Sequence, residues 1–234
     1  MEKAKEWLEY QMVRLNNIGL DCAGEILKTQ KDFVIGKTQN LEWNEETIPF
    51  LAVIPHQYLK KIEWTCIGGR VMQGIQQIAY VICRKNDLRG CGEIYLTDQE
   101  VSEGIQLSDP YWIFNVQTGS RNIGVPQDKV LMSLTEKGRR LLTLSEATFL
   151  TFFAAHTPFE GAQGIEVPFD LGTNAMMSKW VGVKPISRGE ISSFGSIQPS
   201  ARLGIFRSEG MHPRLANYFS NEGGAYRGTP SCTC

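Results

Sequence analysis

Residues 143–154 constrain the fold of this chain more than any other segment. Thr143-Leu144-Ser145-Glu146 has the form of a capping box, in which the threonine hydroxyl and the glutamate carboxylate each accept a hydrogen bond from the other residue's backbone amide. The helix that follows carries apolar residues on nearly all of its sides, namely Ala147, Phe149, Leu150, Phe152, Phe153 and Ala154. A helix without a polar face must be covered by other elements, so we predict a buried central helix that ends by Pro158.

Further helices and several strands are predicted around this helix. Apolar residues about 3.6 positions apart predict an amphipathic helix over 3–18, closed by Gly19, and a helix from Pro126 to Gly138. Short β-branched and aromatic runs predict strands at 48–55, 75–83, 93–96, 111–116, 165–171, 176–183, 191–197 and 201–207. Helices and strands do not alternate regularly, which favours an α+β fold with one domain over 1–220. We expect a mixed or antiparallel sheet packed against the N-terminal helix and a central helix pair.

Composition and charge exclude several classes of protein. The 234 residues hold 24 Lys+Arg against 25 Asp+Glu, and a net charge of −1 argues against nucleic acid as a partner, because such binding needs a basic excess. Aromatic residues make up 10% of the chain, which argues against disorder. No stretch approaches the roughly 18 apolar residues of a membrane span, and the charged N-terminal segment does not look like a secretory signal. We expect a cytoplasmic protein without a membrane partner, whose six cysteines are reduced.

The sequence carries no recognisable catalytic or metal-binding motif. The histidines His56, His156 and His212 lie after a strand, at a helix end and in a loop, and no serine sits in a Gly-x-Ser-x-Gly element. The glycine pairs Gly68-Gly69 and Gly90-Cys91-Gly92 lack the lysine of a phosphate-binding loop, and the cysteine spacings do not fit a zinc ribbon. We therefore predict no catalytic residue, no metal and no cofactor.

Two basic regions are candidates for binding an anionic partner. Arg139, Arg140 and Glu146 lie close together in the sequence around the start of the Phe-rich helix. The structural alternative is that Glu146 completes the capping box and that Arg139 lies at a helix C-terminus. Residues 184–227 hold six bases and three acids, and this basic excess adds three more ligand-binding candidates, which are Arg207, His212 and Arg214. The alternative for that region is a solvated charged face.

The last residues of the chain combine a double glycine with hydroxyl and thiol side chains. Gly223-Gly224 precedes ten residues that end in Ser231-Cys232-Thr233-Cys234. Dehydrated serine or threonine can be attacked by a cysteine thiolate, which makes Cys232 and Cys234 candidates for modification. The simpler hypothesis is a flexible tail over 221–234, because the segment has few apolar residues to bury. A flexible tail also implies that removing 224–234 changes the stability by less than about 0.5 kcal/mol.

Four short signatures occur in a fixed order along the chain. They are Gln11…Arg14-Leu15…Gly19-Leu20, the strand at 50–55, Tyr111…Asn115-Val116…Gly119 and Gly138-Arg139…Leu142-Thr143…Ser145-Glu146. Together they resemble an uncharacterised bacterial family classified as a domain of unknown function. That family usually has aspartate where this chain has Asn115 and glycine where it has Ala147. The resemblance covers residues 5–185, implies a cytoplasmic bacterial protein and transfers no catalytic residue.

These observations favour a non-catalytic protein that binds another protein or a small anionic ligand. Two alternatives stay open. One is a protein whose Ser/Thr/Cys-containing end is a substrate for modification or cleavage, and the other is an enzyme of a class without a short motif.

Overall fold

The computed structural model describes residues 2–41, 47–62, 74, 78, 108–117, 122, 125, 127–154, 180–187, 190–195, 214–219, 227–228 and 231–233, with the backbone alone for the strands between 180 and 228. The helices are α1 (Glu2–Asn16), α2 (Asp21–Lys28), α3 (Lys31–Lys37), α4 (His56–Leu59), α5 (Gln127–Glu136) and α6 (Leu144–Ala154). The strands are β1 (Thr47–Val53), β2 (Tyr111–Gln117), β3 (Arg139–Leu141), β4 (Trp180–Ser187), β5 (Glu190–Gly195), β6 (Arg214–Phe219), β7 (Arg227–Gly228) and β8 (Ser231–Thr233). The predicted α+β class is confirmed.

The strands form two four-stranded sheets. The first has the order β1-β2-β8-β3, and all of its neighbouring strands are antiparallel. Strand β2, predicted as a central strand because it is apolar on both faces, lies inside this sheet, with Val53 opposite Tyr111 and Thr47 opposite Gln117. The second sheet has the order β6-β5-β4-β7, in which only the β4–β7 pair is parallel.

Helix α6 is the buried central helix that its sequence predicts. Phe149, Phe152 and Phe153 are fully buried, and their rings lie 5.1–6.1 Å apart from centroid to centroid. The helix contacts β1 of the first sheet and β4 and β5 of the second. A helix with neighbours on several sides has no need of a polar face, which explains its composition.

Helix α1 covers the outer edge of β1, the outermost strand of the first sheet. The Trp7 Nε1–H group donates to the Phe50 carbonyl over 2.7 Å, and the Ala52 amide donates to Gln11 Oε1 over 2.7 Å. An outermost strand has backbone groups that no neighbouring strand can pair, and these two side chains supply partners for a carbonyl and an amide. Because both bonds are buried, they also fix the position of α1 on the sheet.

The same helix supplies the end of α6 with hydrogen-bond donors. Arg14 donates to the Phe152 carbonyl over 2.8 Å, and the Tyr10 hydroxyl donates to the Phe153 carbonyl over 2.9 Å. Carbonyls in the last turn of a helix lack intrahelical partners and carry partial negative charge, so a buried guanidinium suits this place. Burial lowers the pKa of Arg14 and raises the pKa of Tyr10. Gln11 and Arg14 of the N-terminal signature therefore have structural roles.

Two glycines end helices as the sequence predicts. Gly19 has a φ of +77°, its amide donates to the Asn16 carbonyl, and the Leu20 amide donates to the Leu15 carbonyl, each over 3.0 Å. This is the Schellman arrangement, which needs a left-handed residue and so favours glycine. Gly138, with a φ of +62°, follows α5 in the same conformation and lets the chain turn into β3.

Other predicted elements differ from the structure or lie outside it. Strand β4 begins and ends four residues later than the predicted 176–183. Helices α2, α3 and α4 and strands β3, β6, β7 and β8 were not predicted. The segments 93–96, 165–171 and 201–207, and 75–83 apart from Ile78, lie outside the described residues. The extent of the single domain predicted over 1–220 stays a prediction.

Candidate functional site

Glu146 forms the predicted capping box at the start of α6. The Thr143 amide donates to Glu146 Oε2 over 2.7 Å, and the Glu146 amide donates to Thr143 Oγ1 over 3.3 Å. Glu146 is fully buried, which is unusual for a carboxylate unless other groups compensate the charge. The capping box provides this carboxylate with a single hydrogen-bond donor, the Thr143 amide, so other groups must supply the rest.

Arg140 and Tyr111 provide the other donors. The Arg140 guanidinium forms a two-point contact in which each carboxylate oxygen of Glu146 accepts over 2.7 Å, and the Tyr111 hydroxyl donates to Oε1 over 3.2 Å. The hydrogen bond with Glu146 raises the pKa of Arg140 in spite of its partial burial. Burial and the nearby carboxylate raise the pKa of Tyr111. With two donors on each oxygen, Glu146 is fully engaged inside the protein.

Arg139 points away from this ion pair and holds the last strand of the chain. Its Nε–H group donates to Ser231 Oγ over 3.0 Å, and its NH2 group donates to the Ser231 carbonyl over 3.0 Å and to the Asn115 carbonyl over 2.6 Å. Asn115 has a φ of +50° in the middle of β2, a left-handed conformation that asparagine adopts more often than most residues other than glycine. Arg139 lies just after the end of α5, as the structural alternative predicts, and it links the left-handed position of β2 to β8.

Strand β8 lies where the sequence analysis predicts a flexible tail. Ser231–Thr233 pair with all three residues of β3, and Ser231 also pairs with Gln117 of β2. Cys232 is fully buried, and the Thr233 hydroxyl donates to the Phe114 carbonyl over 3.2 Å. Polar contacts and one small buried side chain hold this segment in the sheet. A low apolar content gives no sign of such contacts, which is why the sequence does not predict the strand. A reagent or enzyme acting on the Cys232 thiol must first displace β8 from the sheet.

Of the other predicted site residues, one is described, and it lies in the second sheet. Arg214 begins β6 in the second sheet, while Arg207, His212 and Cys234 lie outside the described residues. Of the three histidines, His56 is described: it is buried at the start of α4, and a side chain at Gly74 would meet its ring. Arg139, Arg140, Glu146 and Cys232 do come together. Ligand binding by these residues stays a prediction, and their internal bonds favour a structural role.

A different group of exposed residues lies on the outward face of α3. We call it the α3 face, and its members are Asp32, Phe33, Gly36 and Lys37. Phe33 is 61% exposed, its ring meets the Phe114 ring edge to face at 6.1 Å, and the Lys37 ammonium lies 4.2 Å from the Phe114 centroid and 5.7 Å from that of Phe33. The sequence analysis missed this face. The short apolar run Phe33-Val34-Ile35, with Lys37 four positions after Phe33, is the signal that could have indicated it.

Comparisons with known proteins assign neither a family nor a function to this chain. No family model, no curated protein and no solved structure matches the chain. The resemblance based on the four signatures therefore stays a prediction. Among the described residues, no helix is long and apolar enough to cross a membrane, and no group of three or more His, Cys, Asp or Glu side chains could hold a metal ion.

The raised pKa values of one buried and one partly buried tyrosine predict a loss of stability at alkaline pH. Tyr10 and Tyr111 keep their protons in the folded chain above about pH 10, the ordinary pKa at which the unfolded chain releases them. The unfolded state then binds fewer protons, so the free energy of unfolding falls as the pH rises, by at most about 1.4 kcal/mol per pH unit for each tyrosine. Urea unfolding between about pH 9 and about pH 11 measures this slope.

Two phenylalanine variants separate these tyrosines from other titrating groups. Tyr10→Phe and Tyr111→Phe should each reduce the alkaline slope, and the double variant should reduce it most, since phenylalanine has no proton to lose. A double variant with the slope of the unmodified chain would show that other groups cause the alkaline loss.

Proposed function

We propose that this chain is a non-catalytic interaction protein that binds a protein partner through the α3 face. The observation that carries the proposal is the exposed Phe33 ring, fixed against Phe114 and flanked by Lys37. Aromatic residues are enriched among the residues that dominate binding energy at protein interfaces. An aromatic side chain that is exposed yet held in place is suited to such a role.

The contacts of Phe33 reduce the entropic cost of binding. Its ring already packs edge to face on Phe114, so a partner would not need to immobilise a freely rotating side chain. The Lys37 ammonium near both rings adds a cation–π contact and places a positive charge at the edge of the aromatic surface. The α3 face thus combines an apolar centre with charged neighbours, as protein interfaces do.

The hydrogen bonds of Arg139, Arg140 and Glu146 also support a non-catalytic role. Catalysis needs acid, base or nucleophilic groups that converge on a substrate. In the described part of the chain, the polar groups that the sequence singled out bind one another and the backbone. The cytoplasmic location expected from the sequence belongs to this proposal, and the free, exposed thiol of Cys22 fits a reducing compartment.

Photo-crosslinking in cells of the organism that encodes the chain tests this proposal. A photoreactive phenylalanine analogue at position 33 should yield a defined covalent adduct, whereas the same analogue at Met132 should not. Met132 on α5 is a suitable control because it is an exposed apolar residue outside the α3 face, with 73% of its surface accessible. Equal adducts from both positions, or none from position 33, would contradict the proposal.

A further inference from the structure

We infer that the space between β2 and β3 is a binding site for an extended peptide, and that β8 is its replaceable internal ligand. The peptide that fits this site has hydroxyl side chains at its first and third positions and a small apolar side chain between them. The inference is carried by the contacts that hold Ser231–Thr233, which come from segments far away in the sequence. It concerns the first sheet and does not depend on the α3 face.

The main chain of β8 is bound as in strand addition. All three of its residues pair with β3, and Ser231 also pairs with Gln117 of β2. The Arg139 NH2 group donates to the Ser231 carbonyl over 3.0 Å, which adds a charge-assisted bond to the main chain. When a strand is added to a sheet, such main-chain bonds supply affinity, and the surroundings of alternate side chains supply specificity.

The side chains of β8 meet surroundings that select hydroxyl and small residues. The Ser231 hydroxyl accepts from Arg139 Nε–H over 3.0 Å and donates to Gln117 Oε1 over 3.4 Å. The Thr233 hydroxyl donates to the Phe114 carbonyl over 3.2 Å. Cys232, between them, is fully buried, so a larger or charged side chain at this position would be unfavourable. The site therefore accepts a pattern of hydroxyl, small and hydroxyl residues.

The hold of β2 on β8 is incomplete, which allows the strand to be displaced. Ser231 is the one residue of β8 that pairs with β2. Two residues before its partner Gln117, the left-handed Asn115 breaks the alternation on which regular strand pairing depends. A segment of three residues with one buried apolar side chain opens at a lower cost than the core of the domain does.

Displacement of β8 leaves a site that needs another strand. Arg139 is 8% exposed and would lose two of its acceptors, the Ser231 hydroxyl and the Ser231 carbonyl. A buried cation that loses its acceptors is strongly unfavourable. The open site therefore favours binding of any segment that supplies a hydroxyl and a carbonyl at this position.

In the unmodified chain, β8 competes with any external peptide. Two residues, Thr229 and Pro230, separate β8 from β7 in the sequence, so β8 cannot move far from its site. A segment on a short link has an effective concentration on the order of millimolar. An external peptide therefore binds the unmodified chain weakly, and its affinity rises when β8 is made a poorer ligand.

Exchange of the strand in the full-length chain tests the inference. The probe is a fluorescein-labelled synthetic peptide with the sequence of residues 227–234, and its binding is measured by fluorescence anisotropy under reducing conditions. Cys232→Lys in the full-length chain weakens the internal ligand and leaves β2, β3 and Arg139 unchanged. The peptide should bind this variant at least about tenfold more tightly than it binds the unmodified chain, because the competing strand now carries a charge at a buried position.

The same substitution in the peptide is the matched control. A peptide that carries Cys232→Lys should bind neither chain. If circular dichroism shows that the Cys232→Lys chain is unfolded, the double variant Ser231→Ala/Thr233→Ala replaces it, because it removes two hydroxyl groups and keeps the buried thiol; the expected gain in affinity is then about threefold or more. A peptide that binds the weakened chain no better than the unmodified chain would overturn the inference.

A substitution in the site itself shows where the peptide binds. Arg139→Gln, added to the weakened chain, should reduce the affinity for the peptide by about tenfold or more, because it removes the charge-assisted bonds to the first hydroxyl residue. Lys137→Gln removes the same charge from an exposed position two residues earlier and should leave the affinity unchanged. Equal effects of the two substitutions would place the peptide elsewhere and overturn the inference.

Discussion

Replacing Phe152 with alanine should lower the free energy of unfolding by about 3–5 kcal/mol, as deletion of a buried aromatic ring does. Phe152 is fully buried, and its ring packs against Phe149 at 6.1 Å and Phe153 at 5.1 Å. The Arg14 guanidinium also lies 4.8 Å from the ring centroid. The substitution therefore leaves a cavity at the point where α1 meets the end of α6, and it removes a favourable contact of a buried cation.

The same substitution at an exposed position is the control. Phe33→Ala removes an identical group from a ring that is 61% exposed, so it should cost much less. Urea unfolding monitored by circular dichroism gives both free energies. Equal losses for the two variants would show that α6 is not the centre of the core.

Helix α6 could be predicted because its signals are local. Thr143 and Glu146 are three residues apart, and their hydrogen bonds depend only on the first turn of the helix that they begin. The continuous apolar surface after them requires burial whatever the neighbours are. The glycine stops at Gly19 and Gly138 are local for the same reason, since each depends on one left-handed residue.

The roles of Arg139 and Arg140 depend on distant parts of the chain. Arg139 binds Ser231, which is 92 residues away in the sequence. It also binds the carbonyl of Asn115, and no sequence signal connects that position with Arg139 or Ser231. Arg140 lies opposite Cys232 in the sheet, so its place next to Glu146 follows from the position of β3. The sequence itself places these charged groups near the start of α6, but only the strand order decides which of them bind each other.

Helices α2 and α3 escaped prediction for a different reason. Each is eight residues long or shorter, and in α3 only Val34 is fully buried. Such a segment lacks the repeated apolar positions from which a helix is predicted, since two turns give too few repeats. Its stability comes from contacts such as those of Val34 and Phe33 with the rest of the domain. The face that we propose as functional thus lies on an element with a weak sequence pattern.

Removal of residues 231–234 should destabilise the domain by at least about 3 kcal/mol, the range for breaking a buried charge–polar network. The deletion takes away β8 from between β2 and β3 and removes two of the acceptors of Arg139, which is 8% exposed. It also removes the buried Cys232 and the bond from Thr233 to Phe114. The flexible-tail hypothesis predicts the opposite result, a change below about 0.5 kcal/mol.

A pair of cysteine substitutions tests the same strand without shortening the chain. Cys232→Lys introduces a cation at a fully buried position opposite Arg140 and should cost several kcal/mol, because an uncompensated charge in the interior is strongly unfavourable. Cys22→Lys makes the same change at an exposed position in α2 and should have little effect. Thermal and urea unfolding of both variants and of the shortened chain measure the three effects. If the shortened chain and Cys232→Lys unfold like the unmodified chain, β8 does not hold the sheet together, and the Cys232 thiol becomes available for the modification that its sequence context suggests.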